Sequence, residues 1–383
     1  MTSLQVSVAV WGRFWAFNLA AYLSQKQILQ TLYTTYPAFK AAQMGVPAAA
    51  VRSQVHWDVG ARLWQRLPEP LQHPLHVYGL QQFDRWVAAQ LRPTSVFVGW
   101  SGVCVESLAR ARALGAKTVV ERGSSHILVQ TQLLQEEFER WGYRFTATSS
   151  AIIERELAAY EQSDRICVPS DFAKETFLKQ GFRPEQMLHL PFGVSLAEFF
   201  PEPKQDQVFR IIHSGTIGLR KGIPYLLQAF AELRLPNAEL WLLGALAPEG
   251  RGLLAKYADF PVFWKGKKPQ SQLRHFYSQG SVFCLMSIEE GLAMVQPQAM
   301  ACGLPVIHTP NTGGSDIVRD GVDGFCVPIR DVEALQEKIL YLYENPDACQ
   351  AMGQNALRQA QTALSWEQYG ERAIAAYQQL LAI

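Results

Sequence analysis

The sequence predicts an α/β protein built from two doubly wound, Rossmann-like domains. Short apolar or β-branched runs alternate with amphipathic helical stretches over residues 4–179 and again over residues 209–344. Such alternation is typical of parallel strands covered by helices. Between the two series lies PEPKQDQ (201–207), a proline-rich polar segment that we interpret as the linker. Ligands of open α/β sheets bind at the carboxyl ends of the strands, so we expect a site in the cleft between the two domains.

The linker divides the chain into a first domain at 1–203 and a second at 204–364, followed by a strongly amphipathic segment at 365–383. In the first domain we predict strands at 4–10, 96–100, 118–121 and 165–169, with helices at 103–114 and 172–179. In the second we predict strands at 209–214, 239–243, 262–264, 282–285 and 305–309, with helices at 224–233, 271–279 and 332–344.

The overall composition excludes several classes of protein. The 383 residues include 35 basic and 34 acidic side chains, a net charge of +1, so there is no electrostatic reason to expect nucleic acid as a partner. The six cysteines are scattered and form no C-x-x-C pair, which argues against a zinc site or a disulfide framework.

The sequence also bears on location. Its N-terminus lacks a basic leader, and no run approaches the roughly 20 apolar residues that cross a bilayer. We therefore expect a cytoplasmic protein, with peripheral contact to the inner face of a membrane left open.

Residues 287–307 carry the most informative pattern, SIEEGLAMVQPQAMACGLPVI. The run follows a predicted strand, turns through small residues and enters a helix whose first turn accommodates Pro297. Free backbone amides at such a helix start can bind diphosphate or sugar oxygens. The alternative is a buried loop carboxylate with only a structural role.

A second pattern, HSGTIGLRKG at 213–222, lies between a strand and a helix. Its glycines allow the backbone to approach a phosphate, and Lys221 supplies a point charge for a diphosphate. Cations at the positive end of a helix are unfavourable unless an anion joins them, which favours an anion site over a solvated Arg220–Lys221 pair.

The two patterns together resemble glycosyltransferase family 4, the retaining nucleotide-sugar enzymes with the GT-B fold. Glu290 and Gly291 match the family's E-G pair, and Gly215, Lys221 and Gly222 match its G-x(5)-K-G. Three positions depart from the family, since Gln298 stands where a second glutamate is usual, Thr216 where an arginine is usual and Ala293 where a second glycine is usual. The resemblance covers most of the chain but is weak over residues 27–91.

This resemblance implies roles for individual residues. Lys221 and Arg220 would stabilise the leaving diphosphate, Glu290 would orient the donor sugar and Gln298 would hold the ribose. His126 would contact the sugar, the alternative being a histidine satisfied by a neighbouring carboxylate. The full set of donor-binding candidates is Gly12, Gly215, Thr216, Gly291, Leu292, Ala293, Met294, Gln298 and Lys267.

Other implications are less specific. The closing helix would pack back onto the first domain, and Asp316 would be either a donor ligand or a helix cap. For the aromatics Phe14, Trp15 and Phe17, core packing is favoured over stacking on a sugar or contact with a lipid-linked acceptor.

The sequence therefore predicts a retaining glycosyltransferase that uses a nucleoside-diphosphate sugar, with no other cofactor and no metal. The acceptor, whether glycan, lipid-linked or small molecule, stays open. Two rival functions keep the fold: a sugar-nucleotide epimerase or hydrolase, which would consume donor without an acceptor, and a non-catalytic partner that binds the nucleotide sugar without turnover.

Overall fold

The structure, a computed structural model, describes residues 4–64 and 66–382 and contains two parallel sheets. The elements of the first unit are β1 (Val6–Val10), α1 (Ala16–Gln25), β2 (Leu29–Thr34), α2 (Ala38–Ala42), β3 (Val51–Ser53), α3 (Val55–Trp64), α4 (Glu69–Gln90), β4 (Val96–Trp100), α5 (Val105–Ala113), β5 (Lys117–Glu121), α6 (Ile127–Arg140), α7 (Ser150–Gln162), β6 (Arg165–Val168), α8 (Asp171–Lys179) and β7 (Met187–His189). Its strands lie in the order β3-β2-β1-β4-β5-β6-β7.

The second unit has a six-stranded sheet in the order β10-β9-β8-β11-β12-β13. Its elements are β8 (Phe209–Ser214), α9 (Ile223–Leu233), β9 (Ala238–Leu243), α10 (Gly250–Ala255), β10 (Val262–Gly266), α11 (Gln270–Ser278), β11 (Val282–Leu285), α12 (Val295–Ala301), β12 (Val306–His308), β13 (Gly324–Cys326), α13 (Val332–Glu344) and α14 (Pro346–Ala363). The two doubly wound sheets confirm the predicted fold class.

The central strands are apolar because helices cover both faces of each sheet. Every residue of β1, β4 and β11 is buried. Strands covered on both sides need continuous rather than alternating apolar residues, which explains why these runs are readable in the sequence.

Each sheet has one point where the strand order reverses. In the first unit, β1 pairs with β2 on one side and with β4 on the other; in the second, β8 pairs with β9 and β11. Loops at such a point diverge and leave a crevice beyond the carboxyl ends of the strands.

The last helix, α15 (Trp366–Leu381), packs on the first unit although it follows the second in the chain. Gly370 lies so close to Tyr22 of α1 that a Cβ there would collide with the ring. The Tyr369 hydroxyl lies 3.5 Å from Oε1 of Glu121, at the end of β5. The predicted limits at residues 1 and 383 lie outside the described residues.

The six cysteines are free thiols. All but the half-buried Cys326 are buried.

A membrane span requires a helix of sufficient length and hydropathy. Among the residues that the structure describes, no helix is both long enough and apolar enough to cross a membrane.

Candidate functional site

A cavity of about 610 Å³, here called the central cavity, lies between the two units. Its walls combine loops that follow β1, β5, β8 and β11. The first unit contributes Arg13, Phe14, Trp15 and Gly123; the second contributes Ser214, Gly215, Lys221, Glu290, Leu292, Ala293, Met294 and Gln298. Both sequence motifs therefore reach one shared hollow.

Lys221 and Glu290 contact each other at the wall of this cavity, Nζ against Oε1. Their side chains are only 17% and 13% exposed, so little water competes with the pair. Gly222 fixes the turn beside Lys221: its φ is +63°, and a Cβ there would collide with the carbonyl oxygen of Met286. The turn therefore requires glycine, which has no Cβ and tolerates positive φ.

A buried histidine, His213, lies behind Gly215 in the wall of the central cavity. His213 is fully buried, and its Nδ1 lies 3.1 Å from the Cys284 carbonyl oxygen, so Nδ1 donates and Nε2 is an unprotonated acceptor. Nε2 has no partner among the described residues, and a Cβ on Gly215 would lie 3.4 Å from it. Burial and the neighbouring Lys221 lower the pKa of His213 to about 3, which keeps it neutral.

Glu289, directly before Glu290, holds the two units together. Its Oε1 accepts hydrogen bonds from the hydroxyls of Ser124 (2.6 Å) and Ser125 (2.7 Å) in the first unit. Its Oε2 accepts from Gln130 Nε2 at 2.9 Å and lies 3.1 Å from the Arg220 guanidinium. Burial opposes ionisation, but Arg220 and these donors outweigh it and lower the pKa of Glu289. We call this group the Glu289 clasp.

Asp316 makes a second contact between the units. Asp316 accepts the Asp171 amide at 2.9 Å, and its Oδ1 lies 2.6 Å from His189 Nε2. The sequence suggested no metal cluster, yet these three side chains have ligand atoms within 4.8 Å of one another and could hold an ion. They do not line the central cavity. Asp316 thus caps the start of α8 in the other unit rather than its own helix.

A second cavity of about 450 Å³, the aromatic cavity, opens beside the first at the β1–β4 crevice. Phe14, Trp15 and Gly123 line both cavities, so the two adjoin. Of the three aromatics considered from the sequence, only Phe17 is simple core, because Trp15 lines both cavities and Phe14 is 60% exposed.

His126 requires a correction, because the structure places it away from both cavities. It is 1% exposed and packs against the rings of Tyr160, Phe177 and Phe182. Its Nδ1 accepts the Leu128 amide at 3.3 Å and so caps α6. Burial and a nearby arginine lower its pKa to about 4. The residue is a buried capping histidine, and no contact with a sugar follows from its position.

Arg220 also differs from expectation. Its guanidinium is held by Glu289, and the residue lines the aromatic cavity rather than the central one. The Nε atom of Arg220 also lies 3.6 Å from Glu290 Oε1, the oxygen that Lys221 contacts. Of these two cations, Lys221 alone lines the central cavity.

The remaining candidates are divided by their positions. Gly215, Leu292, Ala293, Met294 and Gln298 line the central cavity, with Gln298 Oε1 3.5 Å from the Tyr277 hydroxyl. Four others lie outside it: Gly12 is bonded to Thr35, Thr216 and Lys267 are exposed, and Gly291 packs against the backbone of Gly123. Sequence reasoning gave no role to Glu289, whose role depends on contacts that only the fold creates.

Comparison with known proteins finds a family match in the second half of the chain. Residues 195–359 match the family described as glycosyl transferases group 1. The MMP alpha-(1->4)-mannosyltransferase of Mycolicibacterium hassiacum is 27% identical over 227 residues, covering 57% of this chain and 54% of that protein. The D-inositol 3-phosphate glycosyltransferase of Kribbella flavida is 27% identical over 241 residues, covering 57% of each chain. The chain thus matches about half the length of these relatives.

Solved structures share the whole fold. The sucrose-phosphate synthase of Thermosynechococcus elongatus superposes with a TM-score of 0.72 at 19% identity, covering 99% of both chains. HepE of Anabaena, solved in complex with UDP, gives 0.71 at 15% identity, covering 98% of this chain and 100% of that one.

Proposed function

Because residues 195–359 match the family described as glycosyl transferases group 1, we propose that this protein transfers a sugar from a nucleoside-diphosphate sugar to an acceptor hydroxyl with retention of configuration. The observation that carries the proposal is the contact of Lys221 with Glu290 at the wall of the central cavity. HepE, a structural neighbour, has been solved with UDP and glucose, which supports a donor of this class.

In the proposed complex the donor replaces the contact between Lys221 and Glu290. The diphosphate takes the Lys221 ammonium, and sugar hydroxyls take the Glu290 carboxylate, so each buried charge exchanges one partner for another. Such an exchange avoids the cost of leaving a buried charge unpaired. Glycine backbone at Gly215 lets the diphosphate approach closely.

The reaction breaks the bond between the anomeric carbon and the diphosphate oxygen, which leaves with the bonding electrons. The acceptor oxygen forms the new bond to the same carbon, and the acceptor proton passes to the leaving diphosphate. Lys221 stabilises the charge that develops on that leaving group, and preorganised charge of this kind is commonly the largest catalytic contribution.

The proposed contacts with the nucleotide part of the donor are weaker than those with its diphosphate. Gln298 lines the cavity with an amide, which can bond a ribose hydroxyl but without the extra strength of a charged acceptor. We propose that Lys221 supplies the balancing cation and that no resident metal is needed. The Asp171–His189–Asp316 group lies outside the central cavity and has no part in this scheme.

The test is incubation of the purified protein with nucleoside-diphosphate sugars, with and without a panel of acceptors. The proposal expects nucleoside diphosphate to be released mainly when an acceptor is present, and the proton spectrum of the product to show the donor's anomeric configuration. Equal release without any acceptor would point to a hydrolase, and an inverted product would contradict the retaining mechanism.

A further inference from the structure

The aromatic cavity adjoins the proposed donor site. It lies at the β1–β4 crevice, shares Phe14, Trp15 and Gly123 with the central cavity, and has about 450 Å³ of space. Cavities of roughly 300–1,000 Å³ with mostly apolar walls and a few polar groups are typical small-molecule sites. A hydroxyl group at the shared wall would face the donor sugar.

The walls of this cavity are tryptophan-rich. The rings of Trp15 and Trp100 lie 5.2 Å apart, and Trp11 meets His76 edge-on at 6.1 Å. Flat aromatic walls bind apolar faces, including the faces of sugar rings and of aromatic or alicyclic groups.

One donor in this wall has no partner. Trp100 is 6% exposed, and its indole Nε1 makes no hydrogen bond with any described residue. Buried polar groups are nearly always paired, and this N–H has almost no exposed surface of its own, so it can donate to a ligand oxygen only where the ligand displaces the atoms that cover it.

The charges around the cavity are already paired. The Arg122 guanidinium lies 3.0 Å from Glu156 and also bonds Gln130 and the Ser125 carbonyl. Arg220 is held by Glu289, as described above. Burial and a neighbouring histidine lower the pKa of His76, which favours its neutral form. Among the described residues that line the cavity, no cation is left for a phosphate or carboxylate.

Phe14 lies where the two cavities meet. Its backbone adopts φ of +41° and its side chain is 60% exposed, an unfavourable combination for a phenylalanine. Backbone strain of this kind is concentrated at functional sites, where it places a particular side chain. Here it holds an aromatic ring between the two cavities.

We propose that the aromatic cavity binds an uncharged acceptor, a hydroxyl compound with an apolar ring or chain, and that Phe14 and Trp100 select it. This inference rests on the proposed function, since it names the acceptor class for the same reaction. It separates this chain from a relative such as the D-inositol 3-phosphate glycosyltransferase, whose name specifies a phosphorylated acceptor.

The test measures binding to the full chain by isothermal titration with three kinds of probe: phenyl β-glycosides of glucose, galactose and mannose, the matching methyl glycosides, and the phenyl glycoside 6-phosphates. We expect a phenyl glycoside to bind about tenfold more tightly than its methyl counterpart, because the cavity buries the ring. The 6-phosphate should bind no more tightly than the neutral phenyl glycoside.

Three variants connect the binding to the cavity. Phe14→Ala should weaken phenyl glycoside binding, and Trp100→Phe, which keeps a ring but removes the N–H, should weaken it by about tenfold or less. The control is Phe39→Ala, a 63% exposed phenylalanine that lines neither cavity, which should bind like wild type.

Several results would overturn the inference: tighter binding of the 6-phosphates, equal binding of methyl and phenyl glycosides, or a Phe14→Ala variant that matches Phe39→Ala. Titration of UDP, GDP and ADP on the same sample separates the two claims. If a nucleoside diphosphate binds while the neutral probes do not, the acceptor class is wrong and the transferase proposal stands. If no nucleoside diphosphate binds, the transferase proposal fails whatever the glycosides do.

Discussion

Lys221 and Glu290 are 69 residues apart in the chain, yet their charged ends touch at the wall of the central cavity. Lys221 belongs to the turn after β8 and Glu290 to the loop after β11, the neighbouring strands at the reversal of the second sheet. The fold thus brings a cation and an acid together where a diphosphate sugar would need both.

Removing either partner should reduce catalysis strongly. Lys221→Ala takes away the charge opposite the leaving diphosphate, and Glu290→Ala takes away the acceptor for sugar hydroxyls. Each should lower kcat/KM by about a hundredfold or more, by analogy with the removal of one preorganised charge-stabilising donor. Steady-state kinetics check this against Lys256→Ala, an exposed lysine that lines neither cavity. Full turnover by either variant would exclude that residue from the mechanism.

Breaking the Glu289 clasp should loosen the contact between the units. Glu289→Gln removes the negative charge that faces Arg220 and weakens the bonds from Ser124 and Ser125. Because hydrogen bonds to a buried charge contribute more than neutral ones, we expect the free energy of unfolding to fall by about 2 kcal/mol.

The same variant should show a larger radius of gyration in small-angle scattering, because the two units are held less tightly. Its kcat should fall, because Glu290 is the next residue in the chain and is displaced when Glu289 loses its contacts. The matched control is Glu161→Gln on the exposed face of α7. A Glu289→Gln protein with wild-type scattering, stability and kcat would show that the clasp does not hold the cleft.

The buried carboxyl of Glu121 predicts a pH-dependent stability. Burial raises its pKa from 4.5 to about 7, so between these values the folded protein keeps a proton that the unfolded chain has lost. The cost of burying the charge is therefore absent below pH 4.5, grows as the pH rises from 4.5 to about 7, and is constant above that. Glu121→Gln has no charge to bury.

Urea unfolding of wild type and Glu121→Gln at pH 5, 6, 7 and 8 checks this. The wild type should lose stability relative to the variant between pH 5 and 7, by at most about 1.4 kcal/mol per pH unit, and the difference should level off by pH 8. Glu161→Gln should run parallel to wild type across the range. A wild-type-to-Glu121→Gln difference that does not change with pH would mean that the carboxyl ionises as freely in the fold as in the unfolded chain.

His126 should matter for stability and not for turnover. His126→Ala loses the α6 cap and leaves a space among Tyr160, Phe177 and Phe182, so the free energy of unfolding should fall by about 1 to 3 kcal/mol. The fold favours the neutral form of His126, since its pKa is lowered from 6.5 to about 4. Its contribution to the stability of the protein is therefore complete above pH 6.5 and is lost as the pH falls toward 4.

Activity measured per folded molecule, with folding followed by circular dichroism, separates the two roles. His126→Asn, which can still cap the helix, should retain kcat near wild type. A fall in kcat at unchanged stability would return His126 to the list of substrate contacts.

The sequence predicted those strands and helices that have a strong local pattern of apolar residues. The strand predictions at 96–100, 209–214 and 282–285 coincide with β4, β8 and β11. In β4 and β11 the signal is a continuous apolar run, which is typical of buried parallel strands. It missed α3 and α4. In α4 the apolar periodicity is weak and Pro74 lies inside a 22-residue helix. Proline in a helix interior removes a backbone hydrogen bond, so Pro74 argues against a helix in the sequence. Tertiary packing stabilises α4 in spite of this.

Site residues were predictable only where a motif fixed their direction. Lys221 and Glu290 follow from short patterns beside strands, and both line the central cavity. Arg220 is next to Lys221 in sequence but faces the other cavity, and His126 is turned into the aromatic core. The partners of Glu289 are 159 to 165 residues away, and no local pattern predicts a contact at that separation.

The most direct test of the central claim is isothermal titration of UDP, GDP and ADP into wild type and Lys221→Ala. If Lys221 leaves Glu290 to hold the donor diphosphate, at least one nucleotide will bind the wild type, and the variant will bind it about tenfold more weakly or worse. Equal binding by the two proteins, or no binding of any of the three nucleotides, would contradict the assignment of the central cavity as the donor site.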